Sequence, residues 1–158
     1  MNIESYSPEK KIDGFIKEYV HLSNDSLKKE SILSVDDGCY DFMFLQKGTV
    51  TINYAGNKSD NTNFLVYTHQ FKPPIKYTFD KSADYFTIKV QPWASSLFFP
   101  FVPQNKIVNL EKIFGPSIIE LHQKIFEAKT FTQKVKLSET FLTGLNLKPN
   151  ENLKLVRE

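Results

Sequence analysis

Apolar and polar positions alternate along much of the chain up to residue 90, and that alternation predicts strands. Ile16, Val20 and Leu22 recur at every second or fourth position, which predicts a strand ending at Leu22. Ahead of it, Ser7-Pro8-Glu9 reads as a helix start, with Ser7 as N-cap and Pro8 at the first helical position. Ile12, Phe15, Ile16 and Tyr19 fall at helical spacing, but Gly14 interrupts. The pattern therefore predicts one or two helical turns to about Gly14 and a strand thereafter. Ser31-Ile32-Leu33-Ser34-Val35 is a short strand ending at the turn Asp36-Asp37-Gly38. Tyr40 to Leu45 and Thr49 to Tyr54 flank a turn at Lys47-Gly48 and predict a hairpin. Residues 55–63 read as a polar loop. Phe64 to Thr68, Ile75 to Phe79 and Tyr85 to Val90 are further strands, the first two separated by Pro73-Pro74. Six or seven short strands with no helix between them predict an antiparallel barrel or sandwich.

The pattern changes after Pro92. Trp93 to Phe101 is apolar but broken by Pro100 and Pro103. Asn109 caps a short turn, Leu110 to Phe114, which Gly115 closes. Pro116 then opens a helix with Ile118, Leu121, Ile125 and Phe126 on one face. After Ala128-Lys129-Thr130 a second helix runs to about Gly144, with Val135, Ser138, Phe141, Leu142 and Leu145 inward. Two amphipathic helices with so short a connection predict an antiparallel hairpin. The polar run Lys148-Pro149-Asn150-Glu151-Asn152 reads as a linker. There is no internal repeat.

Composition narrows the class. A chain of 158 residues suits one domain, and at that length about 70% of the unfolded surface is buried without disulfide or metal support. The 14 Phe, 7 Tyr and single Trp favour a strand-rich body with a large apolar interior. No run approaches the about 20 apolar residues of a membrane span, and the first residues carry no signal-peptide pattern. The sequons at Asn24 and Asn57 then read as chance matches, the single Cys39 has no internal partner, and the expected location is cytoplasmic. Net charge is +2, and of 20 basic residues only Arg157 is arginine. That is too little charge, and too little bidentate chemistry, for a nucleic-acid footprint.

Candidate chemistry is sparse. His21, His69 and His122 lie far apart in different elements and lack metal-ligand spacing. Asp36, Asp37 and Asp41 form a carboxylate cluster that reads more simply as a turn, with Asp accepting backbone N–H bonds and Gly38 supplying positive φ. Cys39 is a candidate thiol, or a small buried hydrophobe. No nucleophile elbow and no phosphate-cradling glycine loop occurs. No catalytic residue, metal or cofactor is therefore expected, and the chain is read as a non-enzyme. The aromatic set remains. Phe42, Phe44, Tyr54, Tyr67, Tyr77, Phe86 and Trp93 are candidates to line a ligand cavity inside a small barrel.

The order of these pieces resembles the N-terminal regulatory domain of AraC-type transcription regulators. Tyr6-Ser7-Pro8, Ile12, Phe15-Ile16 and Tyr19-Val20 are similar to the opening segment of one subgroup. Ile32 to Phe44 resembles its "(V/I)LPDG..D(L/I)(V/I)F" stretch, Phe86 to Ala94 its "(V/I).F.PGA" stretch, and Asn109 to Gly115 its "(D/N)L..(L/I)(F/W)G" stretch. Collinear order over residues 6–145 carries the resemblance. Asp36 stands where the family has Pro, and Trp93 where it has Gly, which would close or reshape any pocket that segment touches.

The resemblance implies an α+β fold: an antiparallel cupin-like β-barrel or jelly-roll body followed by a C-terminal antiparallel helical hairpin. It implies one regulatory domain over 1–146, with the body to about 92 and the helical part from 93, and a linker over 147–158 toward an absent DNA-binding domain. The implied function is to bind a small-molecule effector and to form a homodimer, touching nucleic acid only through the absent domain, with no membrane contact. Ile118, Leu121, Ile125, Val135 and Leu142 are the dimer-interface candidates. Two alternatives stay open: a free-standing cupin-like enzyme acting on a small metabolite, and a ligand-free dimerisation module.

Overall fold

In a computed structural model the chain is α+β, with two antiparallel sheets and helices on one side. The structure describes residues 1–8, 14–34, 37–54, 57–61, 64–67, 75–98 and 107–145. The readings outside these residues include most of the turns after Ser7, Val35-Asp36, Thr68, His69, Pro73-Pro74, the breaks at Pro100 and Pro103, and the 147–158 linker. For Tyr54 and Tyr67 the backbone alone is described.

Sheet A contains β1 (Asn2–Tyr6), β2 (Ile16–Ser23), β4 (Tyr40–Lys47), β7 (Phe64–Tyr67), β9 (Asp84–Val90) and β10 (Ile107–Asn109) in the order β1-β2-β9-β4-β7-β10. Sheet B contains β3 (Glu30–Ser34), β5 (Val50–Tyr54), β6 (Asn57–Asn61) and β8 (Ile75–Phe79) in the order β3-β8-β5-β6. Every pair is antiparallel. Among the described residues no strand of one sheet pairs with the other, so no closed barrel forms.

The predicted hairpin between residues 40–45 and 49–54 does not form. β4 pairs with β7 and β9, whereas β5 pairs with β6 and β8. The turn at Gly48, with φ of 74°, carries the chain from one sheet to the other. A Cβ at Gly48 would stand 3.3 Å from the Asp80 side chain, so both conformation and space favour glycine. The residues read as a polar loop contain β6, all of whose residues are polar. It is an edge strand held to β5 by main-chain bonds, with Thr51 Oγ1 donating to Asp60 Oδ1 at 2.5 Å. A polar edge resists pairing with other chains. β1 and β10 were not read as strands at all, and β10 joins sheet A from within the stretch assigned to the helical part.

Sheet A is covered on both faces. One face meets sheet B across Leu22, Met43, Leu45 and Tyr85, opposed by Val50, Ile52, Ile75, Tyr77 and Phe79. The other carries Ile16, Tyr19, Phe42, Phe44, Phe86, Ile88 and Val90 against the helices. This double cover explains the unbroken buried runs Asp41 to Leu45 and Tyr85 to Ile88, which lack a solvent-facing position. The helical layer contains a 3-10 turn at Pro92–Ala94 followed by α1 (Ser95–Phe98), then α2 (Glu111–Phe114), α3 (Ser117–Glu127) and α4 (Phe131–Gly144). Asn109 Oδ1 accepts the Glu111 N–H at 2.8 Å, as the capping reading expected, and Gly115 closes α2 at φ of 64°. Thr130 and Gln133 form a reciprocal capping box at the start of α4. None of the described helices is long and apolar enough to cross a membrane.

The Asn24 of the first sequon is buried. Its amide donates to the carbonyls of Lys28 and Asp80 at 3.0 and 2.9 Å, pinning the β2–β3 connection to the turn before β9.

Candidate functional site in the space between the sheets

A cavity of about 160 Å³ lies between sheets A and B. Strand periodicity decides what lines it. On β9 the odd positions Tyr85, Thr87 and Lys89 face sheet B, while Phe86, Ile88 and Val90 face the helices. On β4 Asp41 points into the cavity between Tyr40 and the buried Phe42. β2 contributes Glu18, Val20 and Leu22, and sheet B contributes Ile32, Ser34, Tyr77 and Phe79. Ile3 of β1 completes the lining, so the walls include one edge strand of each sheet, β1 and β3.

A bulge in β2 sets that alternation. Ile16 pairs with Val90 and Glu18 with Lys89, leaving Lys17 as the extra residue. Ile16 and Tyr19, three apart, therefore share the helix-facing side. Glu18 stands opposite Lys89, and Lys17 is free to reach Asp37, at 2.7 Å.

At the rim the charges form a chain. Asp37 Oδ2 accepts from Lys17 and lies 3.0 Å from Lys89 Nζ, which is also 3.9 Å from Asp41. Burial alone would raise the Asp37 carboxyl, but the hydrogen bonds from Lys17 and Lys89 outweigh it and hold it well below the usual carboxylate range. Burial pulls Lys89 down, yet Asp41 and Asp37 more than offset it and the lysine is raised. The Asp37 side chain also accepts the Cys39 N–H at 3.1 Å, and Gly38 has φ of 75°. The turn reading of this segment and an ion-pair role for Asp37 hold together. Cys39 is buried, and burial followed by the Asp37 carboxylate pushes its thiol up to about 12. At neutral pH it carries no thiolate to react.

The floor is aromatic and hydroxylated. Tyr77 stacks on Phe79 with centroids 6.4 Å apart, and Phe79 meets Tyr85 at 5.4 Å. Burial, and then the Asp41 carboxylate, push the Tyr85 hydroxyl far above the ordinary phenol value. Thr87 is 4% exposed; its hydroxyl lies near that of Tyr85 but Oγ1 makes no well-formed hydrogen bond.

Of the seven residues predicted to line a pocket, Tyr77 does. Phe42, Phe44, Phe86 and Trp93 belong to the opposite side of sheet A, packed among the helices. Phe42 meets Phe98 and Phe114 edge-on, each at 5.6 Å, and Trp93 lies 5.9 Å from Phe15. Tyr54 and Tyr67 have side chains outside the described residues. The five dimer-interface candidates Ile118, Leu121, Ile125, Val135 and Leu142 are buried inside this chain against sheet A, so their apolar stripe is already covered. The polar residues that sequence reasoning missed are Glu18, Thr87 and Lys89. The polar residues at alternate positions in Tyr85-Phe86-Thr87-Ile88-Lys89 were the available signal, obscured because both faces of β9 are buried.

The two described histidines, His21 and His122, serve the packing. His122 Nε2 donates to the Leu45 carbonyl at 2.7 Å, with its ring 5.1 Å from Phe126. His21 bridges Asp84, at 2.7 Å, and Glu4, at 3.4 Å, while stacking on Phe131. Among the described residues no three His, Cys, Asp or Glu side chains converge as metal ligands do. No family model matches the chain, and no curated protein matches its sequence.

Proposed function

We propose that the chain is the sensing domain of an AraC-type transcription regulator, cytoplasmic and without chemistry of its own, which binds a small effector in the cavity between its sheets. The observation that carries this reading is the cavity. It is partly enclosed, walled by aromatic and aliphatic side chains, and holds a few convergent polar groups, the general character of small-molecule sites. At about 160 Å³ it falls below the about 300–1,000 Å³ of drug-sized pockets, so the occupant has few non-hydrogen atoms.

The strand order supports the cupin-like half of the reading. Sheets ordered β2-β9-β4-β7 and β3-β8-β5-β6 follow the strand order expected for the two halves of an eight-stranded jelly roll, with β1 and β10 at the two ends of the first. Helices α3 and α4, joined by three residues and packed on each other, support the hairpin half. A dimer built on these helices would use their outward side, where Ile119 is 42% exposed, since the inward stripe is taken.

A thermal-shift screen of small metabolites tests the effector reading. A ligand at 100 times its Kd adds about 2.7 kcal/mol to stability, or about 5–10 °C in Tm for a chain of this size. The expected result is such a rise in the wild type and none in Val20→Phe, whose ring fills the cavity. A ligand whose effect survives Val20→Phe binds elsewhere and overturns the assignment. Light scattering tests dimerisation, and a strict monomer at high concentration overturns that half.

A further inference from the structure

We propose that the cavity takes a small organic cation, a protonated amine on a flat apolar body, with Glu18 as its counter-ion. This rests on the reading of the cavity as an effector site and adds the chemical class.

Charge is the first argument. Three charged side chains line the space, the carboxylates of Glu18 and Asp41 and the ammonium of Lys89. Lys89 is already engaged, 3.0 Å from Asp37 and 3.9 Å from Asp41. Glu18 stands across the β2–β9 ladder from Lys89, yet the lysine turns to Asp37 and Glu18 makes no ion pair among the described residues. Adding the rim pair Lys17–Asp37 leaves the sum at minus one, with the uncompensated charge on the cavity wall. An anionic ligand would have to displace Asp37 or Asp41 from Lys89 and then face two carboxylates. A cation meets an unpaired carboxylate directly, which offsets the cost of leaving water.

The second argument is the floor. Tyr77, Phe79 and Tyr85 present ring surface at three adjoining positions, suited to a flat apolar body, and an ammonium beside ring faces gains cation–π attraction. The third is a hydroxyl. Thr87 Oγ1 is buried in the lining without a well-formed bond, and it can accept an N–H from an ammonium that Glu18 holds. Carboxylate, ring faces and hydroxyl acceptor together match a primary arylalkylamine more closely than an acid or a bare polyol.

Three probes with one body separate charge from shape: phenethylamine, phenethyl alcohol and phenylacetate. Each is titrated against the wild type, Glu18→Gln and Val20→Phe, with Tm as readout and the unliganded Tm of each variant as the folding control. Glu18 is half-buried and makes no ion pair among the described residues, so its amide variant is expected to keep the wild-type Tm. Support for the proposal is stabilisation by phenethylamine alone, weakened about tenfold or more by Glu18→Gln and abolished by Val20→Phe. Equal or stronger binding of the alcohol or the acid, lost in Val20→Phe, overturns the charge assignment while leaving the effector-site reading intact. Phenethylamine binding that Glu18→Gln leaves unchanged overturns the role of Glu18. Silence of all three overturns the proposal, and the wider metabolite screen then decides the effector-site reading separately.

Discussion

The two faces of sheet A are built from the same strands and have opposite character. Toward the helices, Ile16, Tyr19, Phe42, Phe44, Phe86, Ile88 and Val90 are all within 1% of full burial and pack ring against ring. Toward sheet B the same strands present Glu18, Asp41, Thr87 and Lys89 beside Leu22, Met43 and Tyr85, and packing leaves a cavity. Side chains one residue apart along β9 thus belong to a dense core and to a site. The first face is packed throughout, whereas the second combines a buried apolar cluster with an unfilled space beside it. The helices make this division possible, because they cover one side fully without demanding anything of the other.

The largest expected effect probes the dense face. Phe86→Ala removes a fully buried ring that meets Tyr19, Phe44 and Phe131, and should cost about 3–5 kcal/mol in denaturant unfolding. A loss below about 1 kcal/mol would erase the contrast between the faces. Overpacking sharpens it next. Val90→Phe, on the helix side, should cost about 1–3 kcal/mol, whereas Val20→Phe, facing the cavity, should change stability by less than about 1 kcal/mol. Equal costs would mean that the cavity cannot admit a ring.

Acid should act on the open face. The folded Asp37 carboxyl ionises below its unfolded value of about 3.9, so its contribution is complete above that pH and is lost as pH falls through the folded value. Asp37→Asn should therefore lower stability by about 1–2 kcal/mol at pH 7, after allowing for its partial exposure, and flatten the acid limb of the stability profile. Urea titrations from pH 7 to about pH 2 read the loss at pH 7 and the upper part of the acid limb. An acid limb with unchanged slope would remove Asp37 from the account. The smallest effects come from hydroxyls. Tyr19 on the dense face and Thr87 on the open one each bury an oxygen without a well-formed bond, so Tyr19→Phe and Thr87→Val should be neutral or stabilising by up to about 1 kcal/mol. A clear loss in Thr87→Val alone would reveal a bonding role on the open face in the free protein.

Much of this architecture was legible in the pattern of residues, and the failures have physical causes. The two long helices and their inward residues follow from Pro116 and the apolar spacing, while the Thr130 capping box emerged only in the structure. The strands after residue 30, β6 and β10 excepted, were legible because β-branched and aromatic residues cluster between turns. Pairing was not. Gly48 looks the same whether the chain doubles back within one sheet or crosses to the next, and the choice depends on partners far along the chain. The helical spacing of Ile16 and Tyr19 arose from a bulge, which mimics a three-residue step inside a strand. The strand β6 has no apolar residue to mark it, and its evidence lies in hydrogen bonds to β5. The lining of the cavity was missed for a related reason. A strand buried on both faces shows no solvent side, so aromatic residues alone could not say which face was packed and which was hollow.

The bulge gives β2 a spare position, with a bearing on length variation. Removing Lys17 would forfeit one ion pair but leave Ile16 opposite Val90 and Glu18 opposite Lys89 in a regular ladder. Removing any residue from Tyr19 to Leu22 would instead turn one side of the cut over, sending charged side chains among the rings and apolar ones into the hollow. Within β2 the chain can shorten by one residue at Lys17 without exchanging its two faces. An inheritable deletion there would be a change of surface charge, while one two residues later would be a change of fold.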